Sequence, residues 1–200
     1  MDEQPRNTQW FEDWFDSKYY HILYQHRDEE EAQRFVDNLM NKLNLPKGSR
    51  VLDLACGAGR HSIHLNELGY DVIGLDLSEE SINQARKFEN ETLEFYVHDM
   101  RELYWDNYFD AVLNLFTSFG YFESDEEHQK TIDSVAGALK REGIFVLDFM
   151  NAEKVKANLV LEEKKTLDDI TFHILRRQQD GKIIKRIDFS DGGKNYTFEE

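Results

Sequence analysis

"VLDLACGAG", residues 51–59, decides the fold of this chain. Apart from Asp53, residues 51–56 are apolar, as a strand buried on both faces must be, and a Gly57-Ala58-Gly59 loop follows at once. A strand that runs into a Gly-x-Gly turn and then a helix lets backbone N–H groups approach a ligand closely, with the helix N-terminus favouring an anion. The nonapeptide raises two questions: what the loop holds, and why a carboxylate sits inside an apolar run.

Outward from this stretch, strand and helix patterns alternate. "RVLDLAC" reads as a strand, "RHSIHLNELG" as a short helix closed by Gly69, and "DVIGLDL" as a second strand. Ser78 opens the helix "EESINQARKFEN"; "LEFYVHD" and "FDAVLNLF" are strands; "SDEEHQKTIDSVAGALK" is a helix with acids first and lysine last. Gly143 then leads into "IFVLDFM". Alternation of this kind predicts βαβ units, hence an α/β, Rossmann-like, doubly wound and mainly parallel sheet covered on both faces. Upstream, Trp10 with Trp14 and Phe11 with Phe15 are i,i+4 pairs on a helix, and a second helix is expected from Asp28 to Leu43, ended by Pro46, Lys47 and Gly48. Downstream, two β-rich runs flank Asp180-Gly181, and "SDGGKNYTF" offers another turn and strand. The expected organisation is an N-terminal helical cap (1–47), the core (48–150) and an antiparallel β add-on (151–200).

Composition narrows the function classes. The 200 residues carry 24 Lys+Arg against 40 Asp+Glu, a formal net charge of −16. Such a surface repels phosphate backbones and anionic lipid, so neither nucleic acid nor membrane is an expected partner. No apolar run approaches the ~20 residues of a membrane span. The acidic, aromatic N-terminus lacks the basic start of a signal peptide. Cys56 is the one cysteine, so no internal disulfide can form, and a reducing cytoplasm is the expected compartment.

A dinucleotide is the first candidate ligand, but the third glycine of G-x-G-x-x-G is replaced by Ser62. Asp53 lies four residues before Gly57, where a pyrophosphate gains nothing from a carboxylate and a ligand carrying an ammonium and a sulfonium does. Asp76 ends the second strand, where a carboxylate can accept from both hydroxyls of a ribose; its competing role is a helix cap, which Ser78 already offers. Asp99 and Met100, in "HDM", end the third strand and can meet an adenine amino group and the base. Strand ends one to three converge on one crevice in an open α/β sheet. Together they describe a pocket for adenosine plus an amino-acid zwitterion.

"VLDLACGAGR", "VIGLDLS", "HDM" and "YFDAVLNLFTSFGYF" resemble, in order and spacing, the successive motifs of class I S-adenosylmethionine-dependent methyltransferases, especially small bacterial-type members acting on small molecules. The resemblance covers about residues 49 to 150. It implies S-adenosyl-L-methionine as cofactor. Gly57 and Gly59, with Ala55 and Cys56 of the same loop, would face its methionine part. Asp76 with Leu77 would meet the ribose, and Asp99 with Met100 the adenine. Leu115 and Phe116 would line the pocket beneath the sulfonium. Asp53 either contacts the ammonium, directly or through water, or only braces the loop. In such enzymes an N-terminal helical segment covers the cofactor, which makes Tyr19, Tyr20 and Tyr24 lid candidates, with ordinary packing as the competing role. The family closes its sheet with a final antiparallel pair of strands. None is recognised after the add-on, so truncation before the closing strands is expected, and the exposed edge and the add-on both offer surfaces for a homodimer.

The expected function is methyl transfer to a small-molecule acceptor, with N, O and C nucleophiles all open. An NAD(P)-dependent oxidoreductase and a non-catalytic S-adenosylmethionine-binding protein are the alternatives. Asn114-Leu115-Phe116-Thr117 lacks the Asn/Asp-Pro-Pro-aromatic motif of DNA amino-methyltransferases, and no acid follows strand four until Glu123, unlike spermidine-synthase-like chemistry. Cys56 reads as a small packing residue rather than a nucleophile. His61 and His64 do not form a zinc motif, and no metal is expected. His98 reads as a strand-end residue and His128 as solvated. No catalytic residue is assigned.

Overall fold

The computed structural model describes residues 14–24 and 29–200. The helical pairs read from Trp10 and Phe11 lie outside the described residues. The chain divides into two compact units: residues 29–149, and residues 14–24 together with 150–200.

The larger unit is a five-stranded parallel sheet. Its strands are β1 (Arg50–Leu54), β2 (Asp71–Asp76), β3 (Leu93–Val97), β4 (Phe109–Asn114) and β5 (Leu139–Leu147), in the order β3-β2-β1-β4-β5. β1, β2 and β4 are buried along almost their whole length, which is why they read as continuous apolar runs. Helices α2 (Glu29–Leu43), α3 (Arg60–Glu67) and α4 (Glu79–Ala85) contribute Val36, Met40, Leu65, Ile82 and Ala85 to a core with Val51, Val72, Phe95 and Leu113. Helix α5 (Asp125–Ala138) packs Val135 and Ala138 into a second core with Leu52, Ile73 and Val112. The sheet is therefore doubly wound, as the alternation predicts. Ser78 caps α4 by accepting from the Ser81 N–H, and Ser124 caps α5 by accepting from Glu127.

Two boundaries differ from the sequence reading. Helix α2 repeats apolar residues at Ala32, Phe35, Val36, Leu39, Met40 and Leu43, and that stripe is buried in the core unit, so the units part before α2 rather than at residue 47. β5 begins at Leu139, before Gly143, because a register shift between Phe109 and Ala111 lets the strand pair through the polar Lys-Arg-Glu-Gly segment.

The smaller unit is a four-stranded antiparallel sheet, β6 (Glu162–Leu167), β7 (Ile170–Gln179), β8 (Lys182–Asp191) and β9 (Lys194–Glu199), in sequential order. All three hairpins turn on two residues with positive φ: Asp168-Asp169, Asp180-Gly181 and Gly192-Gly193. That geometry matches strand twist and explains the Asp/Gly content of the turns. One face of the sheet is apolar. Ile170, Phe172, Ile174, Ile187 and Phe189 pack with Trp14 and with Tyr19 and Leu23 of α1 (Lys18–Tyr24). A short α6 (Ala152–Ala157) precedes the sheet, and Asn151 caps it. Sequence reading missed β6, because "EEKKTL" carries charge on four of its six residues and alternates only in burial. These strands form a sheet of their own and do not extend the five-stranded one.

Candidate active site

Register aligns the carboxyl ends of the parallel strands. Leu54 lies level with Leu75, Asp76 with Val97, and Asn114 with Leu147. Beyond this edge come the loops that carry residues 55–59, 77–78, 98–100 and 115–117. β1 and β4 are neighbours from which the chain winds in opposite directions, the switch point at which open α/β sheets form a crevice.

The loop after β1 is held from several sides. The Cys56 N–H donates to Leu75 O, and Ala55, Gly57 and Gly59 all have positive φ, at 63°, 56° and 82°. Ala55 is not a glycine, so its left-handed backbone is strained, a feature that gathers at ligand sites. At Gly57 an added Cβ would meet nothing within 4 Å, so there is room against this backbone. At Gly59 it would come within 2.7 Å of the Phe95 ring, so this glycine serves strand–helix packing as well as the turn. Gly74, in mid-β2, leaves room for the same ring, where a Cβ would stand 2.5 Å from it. A lone glycine inside a strand is the available signal for that close approach, and it went unread.

Asp53 is 1% exposed and accepts a hydrogen bond from the Ser62 hydroxyl on α3. Burial pushes its carboxyl up to about 6, against the Ser62 bonds and with help from the Asp76 charge. Through Ser62, Asp53 ties β1 to α3. Burial, then the charges of Asp53 and Asp76, push the Cys56 thiol well up, so it stays protonated and packs as a small apolar group.

Asp76 stands at the end of β2, partly exposed. One oxygen accepts the Gly57 N–H at 2.7 Å and the other the Ser78 N–H at 2.9 Å. A carboxylate has about four lone-pair sites, and these two amide bonds occupy two of them. Leu77 beside it is partly open to solvent.

Asp99 is paired. The Arg101 Nε lies 3.0 and 3.1 Å from its two oxygens, and the Arg101 N–H donates at 2.9 Å. Burial raises the Asp99 carboxyl, but the hydrogen bonds and charge of Arg101 outweigh it and hold the group below the ordinary range. Met100 packs against the core shared with Tyr96 and Tyr104. Sequence reading missed Arg101, although a cation two residues after a candidate ligand acid was in plain view.

At the end of β4, Asn114 is 1% exposed and donates to Leu54 O at 2.9 Å, joining the two central strand ends. Leu115 is buried in the core. Phe116 and Thr117 both have positive φ, 57° and 62°. Asp148, just past β5, holds this strained turn: its side chain accepts the Phe116 N–H at 3.0 Å and its carbonyl the Thr117 N–H at 3.2 Å. The Phe116 ring is stacked on buried His61 at 4.8 Å, with the Arg60 guanidinium 4.9 Å from its centroid.

Tyr20 and Tyr24 belong to the smaller unit. Tyr20 packs edge-on to Trp14 and Phe15, and the Tyr24 hydroxyl bonds the Glu200 carboxylate and Lys185. His64 bonds Asp37 and Glu67, and His98 bonds Glu102 O. His128 is not solvated as expected. It lies between Phe119 and Phe122, which bury its Nε2. No cluster of three or more His, Cys, Asp or Glu among the described residues is arranged to hold a metal ion.

The residues present suit an adenosyl ligand with an amino-acid tail. Room lies against Gly57, a partly exposed carboxylate at Asp76 can take hydroxyls, and the acids Asp53 and Asp76 favour a cation nearby.

Residues 51–143 match the family described as methyltransferase domain. A dTDP-3-amino-3,4,6-trideoxy-alpha-D-glucopyranose N,N-dimethyltransferase of Streptomyces venezuelae is 36% identical over 104 residues, covering 52% of this chain and 43% of that protein. A glycine/sarcosine N-methyltransferase of Aphanothece halophytica is 35% identical over 144 residues, covering 68% of this chain and 50% of that one. The chain thus spans about half the length of the curated relatives it matches. A crystal structure of an S-adenosylmethionine-dependent methyltransferase from Clostridium acetobutylicum has the same fold, with a TM-score of 0.70 at 23% identity, over 91% of this chain and 76% of the other.

Proposed function

We infer that the core of this chain is that of a class I S-adenosylmethionine-dependent methyltransferase, because residues 51–143 match the methyltransferase-domain family. We propose that it transfers a methyl group to a small-molecule acceptor. The observation that carries this reading is the convergence of the Gly57 loop, Asp76 and Asp99 at the carboxyl edge of a sheet whose sequence matches the family. S-adenosylmethionine, when bound, supplies a methyl group on a positively charged sulfur, open to in-line displacement.

The chain's own work is binding, alignment and exclusion of water. Backbone around Gly57 and Gly59 takes the methionine end. Asp76 accepts from the ribose hydroxyls, with Leu77 alongside. Asp99 and Met100 take the adenine. Leu115 and Phe116, fixed by Asp148, border the place where methyl donor and acceptor meet. Asp53 keeps the loop in place from behind, through Ser62.

A nitrogen nucleophile is the class to test first, because the two relatives described above are named as N-methyltransferases, one for an amino sugar and one for glycine and sarcosine. The experiment is release of S-adenosylhomocysteine from S-adenosylmethionine across a panel of amino sugars, amino acids, and matched hydroxyl compounds without an amine. Turnover on amines alone is expected. Calorimetry with S-adenosylhomocysteine and with NAD accompanies it; binding of NAD and not of the adenosyl ligand would overturn the reading in favour of an oxidoreductase.

A further inference from the structure

Arg101 does more than neutralise Asp99. Its guanidinium is a planar fork, and here it spans two parts of the core unit. One side holds both oxygens of Asp99, beyond β3. The other side, through NH1, pairs with Glu127 in the first turn of α5. Its carbon centre lies 4.7 Å from the Phe122 ring, and Phe122 in turn packs on His128, 5.5 Å away, which also meets Phe119 at 5.2 Å. The side chains of Arg101, Asp99 and Glu127 are only 17%, 21% and 26% exposed, so this is not a solvated surface pair of negligible weight.

What Arg101 grips is the end of an irregular segment. Residues 115–124 form no regular element and include the positive φ angles of Phe116, Thr117 and Gly120. Asp148 fixes the start of the segment, and Arg101, through Glu127 and Phe122, fixes its end. The order of an irregular segment depends on the contacts at its two ends.

We propose that Arg101 is a positioning residue that makes the order of the 119–128 segment depend on occupancy of the adenine acid. The inference rests on the methyltransferase reading, in which Asp99 meets the adenine and Leu115 and Phe116, at the start of the same irregular segment, border the acceptor. A ligand amino group on Asp99 and the Arg101 fork share one carboxylate, so fixing the first fixes the second, and with it Glu127 and Phe122. By linkage the coupling is reciprocal: whatever orders the segment tightens cofactor binding by the same factor.

The test is amide hydrogen exchange of the full chain with and without S-adenosylhomocysteine, read at residues 119–128, together with calorimetric affinity. In the unaltered protein the ligand is expected to slow exchange there about fivefold or more, the low end of ordinary coupling. In Arg101→Gln the slowing is expected to fall to about twofold or less while the ligand still binds. Glu127→Gln cuts only the α5 end of the link and is expected to do the same, so the test stands if the Arg101 variant fails to fold. A merely structural role would change exchange equally with and without ligand. Slowing that persists in both variants overturns the proposal, as does an unaltered protein that binds the ligand with no effect at 119–128. Absence of binding to the unaltered protein is a different failure, that of the methyltransferase reading itself.

Discussion

Asp53 is the residue at which local and global demands conflict. A carboxylate in mid-strand costs desolvation, and the chain offsets this with Ser62 rather than with a cation of its own in contact. Its pKa rises from 3.8 to about 6, so the folded state binds the proton more tightly than the unfolded chain does. The sign follows: stability from this group is complete below pH ~4 and is lost as the pH rises through about 6. Asp53→Asn removes that loss. Urea unfolding of both proteins across pH 4 to 8 is expected to show the variant gaining about 3 kcal/mol on the parent toward the alkaline end. Identical pH profiles would mean that Asp53 ionises as if exposed. Sequence flagged Asp53 as anomalous and suggested a cationic ligand; its serine partner, nine residues on, became visible only when α3 was packed on β1.

The strand–loop–helix element from β1 to α3 contains two glycines that look equivalent in sequence and are not. Gly59 has a φ of 82° and the Phe95 ring pressed against it, whereas Gly57 has a φ of 56° and open space. Gly59→Ala is therefore expected to cost about 2–4 kcal/mol of stability, from overpacking plus left-handed strain. Gly57→Ala is expected to cost only about 1–2 kcal/mol of stability. Its main effect is on the ligand: affinity for S-adenosylhomocysteine falls about tenfold or more, since the new methyl occupies the space against the loop. Denaturant unfolding and calorimetry on the two variants separate these effects. If Gly57→Ala binds normally, the loop does not face the ligand. The elements themselves were readable, because buried parallel strands are continuous apolar runs and Ser78 and Ser124 mark helix starts. β6 was not, since a strand of charged residues carries no apolar period.

At the scale of the molecule, two units have separate cores, one around the parallel sheet and one around Trp14, Phe172 and Phe189. Chains so divided need not unfold in a single step. Calorimetry is expected to show a calorimetric enthalpy above the van't Hoff value. Saturating S-adenosylhomocysteine is expected to stabilise the core's transition, by about 2.7 kcal/mol at a hundredfold excess over Kd. A single two-state transition would show the units to be one cooperative body. The sequence by itself determined the doubly wound core and the order of its strands along the chain, and it singled out the candidate ligand acids, because apolar period, caps and turn residues are local properties. Tertiary structure alone decided the partners that lie further off in the chain: Ser62 for Asp53, the Gly57 amide for Asp76, and Asp148 for the turn at Phe116. The reason is physical. A hydrogen bond between residues far apart in the chain depends on strand register and on which helix covers which face, and neither is written in any short stretch.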